Sequence, residues 1–298
     1  MLLVCLCLFI TVFGGYGPIP TWNEIYNFFG VGNASPAPDT ATQGETRVHF
    51  IDVGQGDAVL IESAGEYILI DCGTEDCEEQ LLGYLDQLGV TRLSLLVMTH
   101  PHADHIGSMD AVLYHLPVDT LLLPDLENAA KFPTTATFER VLTAAEQNGC
   151  AVQQGTVGQT FAVGEGVLTV FSTGVYSDDY NNISLGTRFT VGSFSYVSTG
   201  DAEAEVEQQM LQNGVQPATL FKAAHHGSNT SNTAEFLAEL YPVVIVVSCG
   251  EGNSYGHPHK EPMERYEAID AYVYRTDLNG SVVVSYSPDE GLQVYTSK

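Results

Sequence analysis

The chain has 298 residues, 44% of them hydrophobic, which is enough apolar material for a large buried core and a length that one α/β domain routinely fills. Its 37 acidic residues outnumber 10 basic ones for a formal net charge of −27, with no acidic block, so the acid is spread over the surface. That balance excludes a dedicated basic nucleic-acid surface, because phosphates are held by clustered Lys and Arg, and a polyanionic substrate has to be held mainly by a metal ion.

Residues 1–13, MLLVCLCLFITVF, form an apolar run closed by Gly14, Gly15, Gly17, Pro18 and Pro20. The run is short for a membrane span and suits the core of a signal peptide, although no Lys or Arg precedes it. A signal peptide or N-terminal anchor is expected over 1–20, and with it a secreted or extracellular membrane-anchored protein that meets the membrane only through this segment. Small, polar and helix-breaking residues follow, giving a flexible linker over 21–45, and one folded domain is expected over 46–298. Beyond Cys5 and Cys7 in the leader, Cys72, Cys77, Cys150 and Cys249 show no C-x-x-C spacing. They are not a zinc knuckle and fit either one disulfide or buried free thiols.

Short β-rich runs open the domain: VHFIDV from Val48, then AVLIE, then YILID, each closed by Gly or a polar turn. Helical spacing at Leu81, Leu82, Leu85 and Leu88 precedes an apolar strand, Leu93–Met98, and a helix from about Asp104 to Tyr114. A further helix is expected near Ala136–Asn148 and strands at 167–171, 186–191 and 194–198, the last two joined by a Gly192-Ser193 turn. Helix and strand alternate to Val247; a helix near Glu261–Ile269 and strands at 271–275, 281–286 and 291–296 complete the chain. Strand-rich halves, each with helices on one outer side, imply an α/β fold of two sheets packed face to face, an αββα four-layer sandwich.

The strand Leu93–Met98 runs into Thr99-His100-Pro101-His102-Ala103-Asp104-His105, an H-x-H-x-D-H segment on a strand-to-helix turn. In extended chain His100 and His102 project to one side, while Asp104 and His105 open the next helix and can serve a neighbouring position. Imidazole and carboxylate together are ligands that zinc, iron and manganese accept.

H-x-H-x-D-H after a strand resembles the signature of the metallo-β-lactamase superfamily. Leu69-Ile70-Asp71-Cys72-Gly73, Ser198-Thr199-Gly200-Asp201 and Ala223-Ala224-His225-His226-Gly227-Ser228 resemble its further elements in the same order. The likeness is closer to the hydrolase domain of ComEC-type competence proteins, which share an opening like Phe50-Ile51-Asp52-Val53-Gly54-Gln55-Gly56-Asp57-Ala58. They also share closing motifs like Asn253-Ser254-Tyr255-Gly256-His257-Pro258-His259 and Tyr274 to Gly280. One departure stands out: where the superfamily usually supplies another His before its bridging Asp, this chain has Asn181-Asn182-Ile183-Ser184, and between the motif and Asp201 the only histidine is His115.

The resemblance implies one or two zinc ions, with manganese as the alternative. His100 and His102 would hold the first metal, Asp104, His105 and His225 the second, and Asp201 would lie between them. His226 is the rival of His225, because neighbours on an extended strand point to opposite sides, and His225 is preferred. Asp71 is expected to orient a ligand histidine by accepting its other N–H, and Asp104 is both a ligand and a catalytic candidate. His257 and His259 are candidates to bind a phosphate oxygen or protonate a leaving group. Asp52, Asp57 and Asp277 sit at strand ends or turns, where Asp commonly only turns the chain. Ser228, Thr230 and Ser231 could hold an anion or cap a helix.

The implied activity is that of a metal-dependent hydrolase using a metal-activated water, most simply a phosphodiesterase acting on a phosphoester or nucleic-acid-like substrate. Hydrolysis of a β-lactam, lactone or thioester at the same centre and a non-catalytic metal-binding surface module are the alternatives.

Overall fold

The computed structural model describes residues 44–298, so the expected leader and nearly all of the expected linker lie outside the described residues. Strands β1 (Thr46–Phe50), β2 (Val59–Ser63) and β3 (Glu66–Ile70) form an antiparallel meander. The chain then adds β4 (Leu95–Val97), β5 (Thr120–Leu123) and β6 (Ala151–Gln154) in parallel, crossing over through α1 (Glu78–Gln87), α2 (Ala103–Ile106), α3 (Met109–His115) and α4 (Ala136–Asn148).

A second meander, β7 (Thr160–Val163), β8 (Gly166–Ser172), β9 (Gly186–Val191) and β10 (Phe194–Ser198), starts the other sheet. That sheet extends in parallel through β11 (Leu220–Lys222), β12 (Val244–Val247) and β13 (Tyr272–Arg275). Its crossovers carry α5 (Ala204–Gln212), α6 (Ala234–Leu240) and α7 (Lys260–Ala268). After the short α8 (Thr276–Asn279), β14 (Val282–Ser287) and β15 (Gly291–Thr296) return to the first sheet beside β1.

The side-chain period of two along each strand sorts these residues into three apolar layers. Val59, Ile61, Ile68, Ile70, Leu95 and Val97 face Leu168, Phe189, Tyr196, Leu220, Val244 and Val246 between the sheets. Leu60, Leu69 and Leu96 point outward against Leu81, Met109, Phe138 and Val141 of the first helical layer. On the far side Val197, Phe221 and Ile245 meet Val206, Phe236, Leu237 and Tyr266 of the second. The architecture is the four-layer αββα sandwich.

Helix α4 shows the local logic: Thr135 Oγ1 accepts the Phe138 N–H at 3.2 Å at its start, and Gly149 in the left-handed region (φ 77°) ends it. The single helix expected over Asp104–Tyr114 is instead two, broken at Gly107 and Ser108. There Gly107 N–H donates to Gly73 O at 2.8 Å and Ser108 Oγ to Thr74 O at 2.6 Å, tying the break to the loop after β3. Parallel β3 and β4 in one sheet and β10, β11 and β12 in the other end at the same edge of the sandwich. The loops leaving those ends carry Asp71, the segment His100 to His105, Asp201 and the pair His225-His226.

Candidate metal centre

Asp71, the first residue after β3, is buried and left-handed (φ 58°), a strained placement that its hydrogen bonds over-determine. Its Oδ1 accepts the Thr99 N–H at 2.9 Å, and its Oδ2 accepts Thr99 Oγ1–H at 2.6 Å and His105 Nδ1–H at 2.8 Å. A proton is thereby placed on His105 Nδ1, and its Nε2 turns to Asp201 Oδ2, 3.2 Å away. His100 Nε2 and His102 Nδ1 lie 3.0 Å apart on the same side of the loop.

Asp201 Oδ2 is the hub. Around it stand His105 Nε2 at 3.2 Å, His226 Nε2 at 3.5 Å, His225 Nε2 at 3.8 Å and His100 Nε2 at 4.0 Å. The Asp201 N–H is itself held by Ser184 Oγ at 3.2 Å. The segment that replaces the usual histidine thus supports the hub, while Asn181 lines the pocket with a buried Oδ1 that has no hydrogen-bond partner.

The extended geometry expected at His225 and His226, which would turn only one of them to the site, is not what the chain adopts. Both line the pocket, because the chain after β11 is not extended: both residues are left-handed, at φ 51° and 52°. Two such non-glycine residues in a row need bracing. Asn232 supplies it by accepting the Ala224 N–H at 3.0 Å and donating to Ala224 O at 2.9 Å, with its own N–H held by Glu207 at 2.6 Å. His226 lies deeper: its Nδ1–H donates to Ser248 O at 3.0 Å, and its Nε2 is 3.2 Å from Asp104 Oδ2. His225, preferred beforehand, is turned toward Thr230 Oγ1 at 3.1 Å and Glu203 at 3.7 Å. Thr230 in turn lies 3.1 Å from Ser228 Oγ, so these hydroxyls are engaged within the turn.

Asp57, read from the sequence as a turn residue, and Lys222, which sequence reasoning did not single out, are both buried beneath the histidines. Asp57 Oδ1 is 3.4 Å from His226 Nδ1 and its Oδ2 is 3.6 Å from His105 Nδ1, while Lys222 Nζ pairs with Asp57 Oδ2. The Asp57 loop is laced to the motif: its N–H donates to Asp104 O at 3.0 Å, and a Cβ on Gly56 would meet that oxygen at 2.5 Å. A lysine closing the otherwise apolar strand Leu220–Lys222 was the available signal.

The pocket above has a volume of about 370 Å³ and is lined by Gln55, His102, Asp104, Asn181, Asp201, His225, His226, Tyr255 and His257, with no Lys or Arg. His257 faces His225 with ring centroids 5.5 Å apart, and its Nδ1 is buried without a partner. His259, expected beside it in catalysis, does not line the pocket. Its Nδ1 accepts the Asn229 N–H at 3.0 Å and so braces the loop.

Charge is concentrated here. Burial alone would lower the pKa of His226, but Asp201 and Asp57 raise it to about 10. Burial likewise opposes protonation of His105, and Asp201 and Asp71 overcome it, holding that imidazole well above its ordinary value. Burial would raise Asp57, yet Lys222 and His226 bring it down to about 2. His257 goes the other way, lowered to about 4 by burial and by the neighbouring His226 and His225.

The donor set fits a divalent cation. Asp57, His105, Asp201 and His226 form a buried cluster whose ligand atoms lie within 4.8 Å of one another, with Asp201 at the Nε2 atoms of the two histidines and Asp57 at their Nδ1 atoms, and His105 Nε2 and Asp201 Oδ1 are buried without hydrogen-bond partners. Nitrogen and oxygen donors at such spacing, once the imidazoles give up their extra protons, are what zinc or iron takes. Cys72, Cys77, Cys150 and Cys249 are free thiols and take no part.

The sequence pattern of the metallo-beta-lactamase superfamily matches residues 51–250. The chain is 31% identical over 271 residues to ComE operon protein 3 of Bacillus subtilis, covering 84% of this chain and 34% of that protein. It is 28% identical over 289 residues to competence protein ComA of Neisseria gonorrhoeae, covering 95% and 38% respectively. The chain therefore spans about a third of the length of these relatives, which bear out the ComEC-type likeness of its motifs. Among solved structures, CmlA, a diiron β-hydroxylase from Streptomyces venezuelae, superposes with a TM-score of 0.55 at 14% identity, over 83% of this chain and 55% of that one, a likeness of fold.

Proposed function

The chain belongs to the metallo-β-lactamase superfamily, and we propose that it is a metal-dependent phosphodiesterase that takes nucleic-acid-like or other phosphodiester substrates outside the cell. The observation that carries this reading is the convergence of four imidazoles on the single oxygen Asp201 Oδ2, at the floor of an open pocket. His105, His226 and Asp201, with Asp104 at the edge, are the groups that would hold a zinc ion, and His100 and His102 would serve a second. Manganese suits the same donors.

When bound, such an ion polarises a phosphoryl oxygen and lowers the pKa of water toward neutrality. The protein groups prepare for it. Asp71 and the Ser248 carbonyl each accept a hydrogen bond from the Nδ1–H of a histidine, so that both Nε2 lone pairs face Asp201 once the rings are neutral. His257, with its pKa held near 4, stays neutral at physiological pH and offers a hydrogen bond rather than a charge to a phosphoryl oxygen. Asn181 Oδ1 stands free to accept a hydrogen bond from the incoming water or substrate.

With no Lys or Arg on the pocket wall, substrate anions depend on the metal, and that fits a chain of net charge −27. Among the described residues no helix is long and apolar enough to cross a membrane. The test is hydrolysis of bis-(p-nitrophenyl) phosphate by the purified protein with added zinc or manganese. His102→Ala and Asp201→Ala should each abolish turnover, at least a hundredfold, on the scale of losing metal-held electrostatic stabilisation. Equal rates in all three proteins would reject the assignment, and cleavage of a β-lactam or thioester instead would move it to another branch of the superfamily.

A further inference from the structure

Lys222 stands where a cation-binding site has least use for a positive side chain. It is 1% exposed, it pairs with Asp57, it donates to Gly200 O at 3.3 Å, and its Nζ lies 3.8 Å from Asp201 Oδ1. Asp57 faces the Nδ1 edges of His226 and His105, at 3.4 and 3.6 Å, whereas Asp201 Oδ2 faces their Nε2 atoms, at 3.5 and 3.2 Å. The two carboxylates therefore flank the pair of rings from opposite edges. An ion seated against Asp201 and the Nε2 atoms leaves Asp57 behind the rings, with Lys222 as its partner.

We propose that Lys222 is a built-in counter-cation that sets the affinity of the centre for a divalent ion. It cancels the charge of Asp57 behind the imidazoles and draws on Asp201, so the site binds its metal more weakly than its carboxylates alone would. The inference rests on the reading that a divalent ion is held at Asp201, His105 and His226. Lys222 and Asp57 act through those groups and are positioning residues.

The two halves of the pair then pull in opposite directions. Lys222→Met keeps the length of the side chain and leaves one more uncompensated negative charge beside the ion. Asp57→Asn leaves the Lys222 ammonium facing Asp201 unneutralised. At these separations, in a largely buried site, a unit charge changes the affinity of a dication on the order of tenfold or more. A pair that served packing alone would weaken binding when either member was removed.

The experiment is a zinc dissociation constant for the full chain, measured by competition with a chromogenic chelator, for the unsubstituted protein, Lys222→Met, Asp57→Asn and the double variant. The expected result is at least tenfold tighter binding in Lys222→Met, at least tenfold weaker binding in Asp57→Asn, and a return to within threefold in the double variant. If Lys222→Met does not fold without metal, the comparison of Asp57→Asn with the double variant decides, the double having to bind at least threefold tighter than Asp57→Asn. Weaker binding in both single variants, or shifts below twofold, overturns the proposal. Failure of the unsubstituted protein to bind zinc overturns the metal-site reading itself.

Discussion

The floor and the rim of the pocket are built differently. On the floor His105, Asp201, Lys222, Asp57 and His226 are all buried, and each is in ionic contact with others of the group. At the rim Tyr255 is 64% exposed and stacks on His257, with centroids 5.6 Å apart, on the loop between β12 and α7. Charges desolvated at such density are stable only in the presence of their partners, since removing one leaves another unpaired. Rim side chains give up far less when changed. The floor is thus the place where binding of an ion is decided, and the rim the place where substrates are distinguished.

The largest effect should come from the two adjacent histidines, one of which reaches the floor. The His226 side chain is 1% exposed and sits between Asp104 and Asp201, whereas that of His225 is 20% exposed and farther from the hub. His226→Ala is expected to weaken zinc binding more than a hundredfold and His225→Ala between about tenfold and a hundredfold, the usual range for a group supporting a metal ligand. Isothermal titration of the two variants ranks them, and the reverse order would return the deeper role to His225.

A smaller effect should follow from pH. His226 has its pKa raised from 6.5 to about 10 in the folded chain, so its contribution to stability is fully present below pH 6.5 and is lost as the pH rises through about 10. Metal-free protein is expected to melt at progressively lower temperature over that window. Zinc binding, which must displace the proton, is expected to tighten over the same window. Scanning fluorimetry with and without zinc measures both, and a flat melting temperature in the metal-free series would show that the Asp201 and Asp57 contacts with His226 are not formed.

The same division explains what could be read from the sequence. His100, His102, Asp104 and His105 announce themselves because one loop carries them all, and the continuous apolar runs of β2, β3 and β4 require cover on both faces of the sheet, hence the four-layer fold. Asp57 and Lys222 are distant in sequence and meet only because β11 and the loop after β1 end at the same edge of the sandwich, a tertiary event with no local pattern. The His225 and His226 turn was misjudged because alternation holds only in extended chain, and two left-handed residues braced by Asn232 and Glu207 break it. Short β6, with all four residues exposed, carries no apolar period to detect.

The smallest expected effect lies at the rim. Tyr255 presents a largely exposed ring face at the mouth of a pocket whose wall carries no cation, so a base or an aromatic ester group can gain there only by stacking. Alanine in place of a stacking aromatic costs about 1–3 kcal/mol per base, and a rim position open to water belongs at the low end. Tyr255→Ala is therefore expected to raise KM for thymidine 5′-p-nitrophenyl phosphate about fivefold with kcat unchanged, while Tyr255→Phe keeps the original KM because the ring face is retained. A dialkyl phosphodiester, which has no ring to stack, should be hydrolysed equally by all three proteins. If Tyr255→Ala instead lowers kcat and leaves KM alone, Tyr255 acts on the floor through His257, and the separation of floor from rim fails at that point.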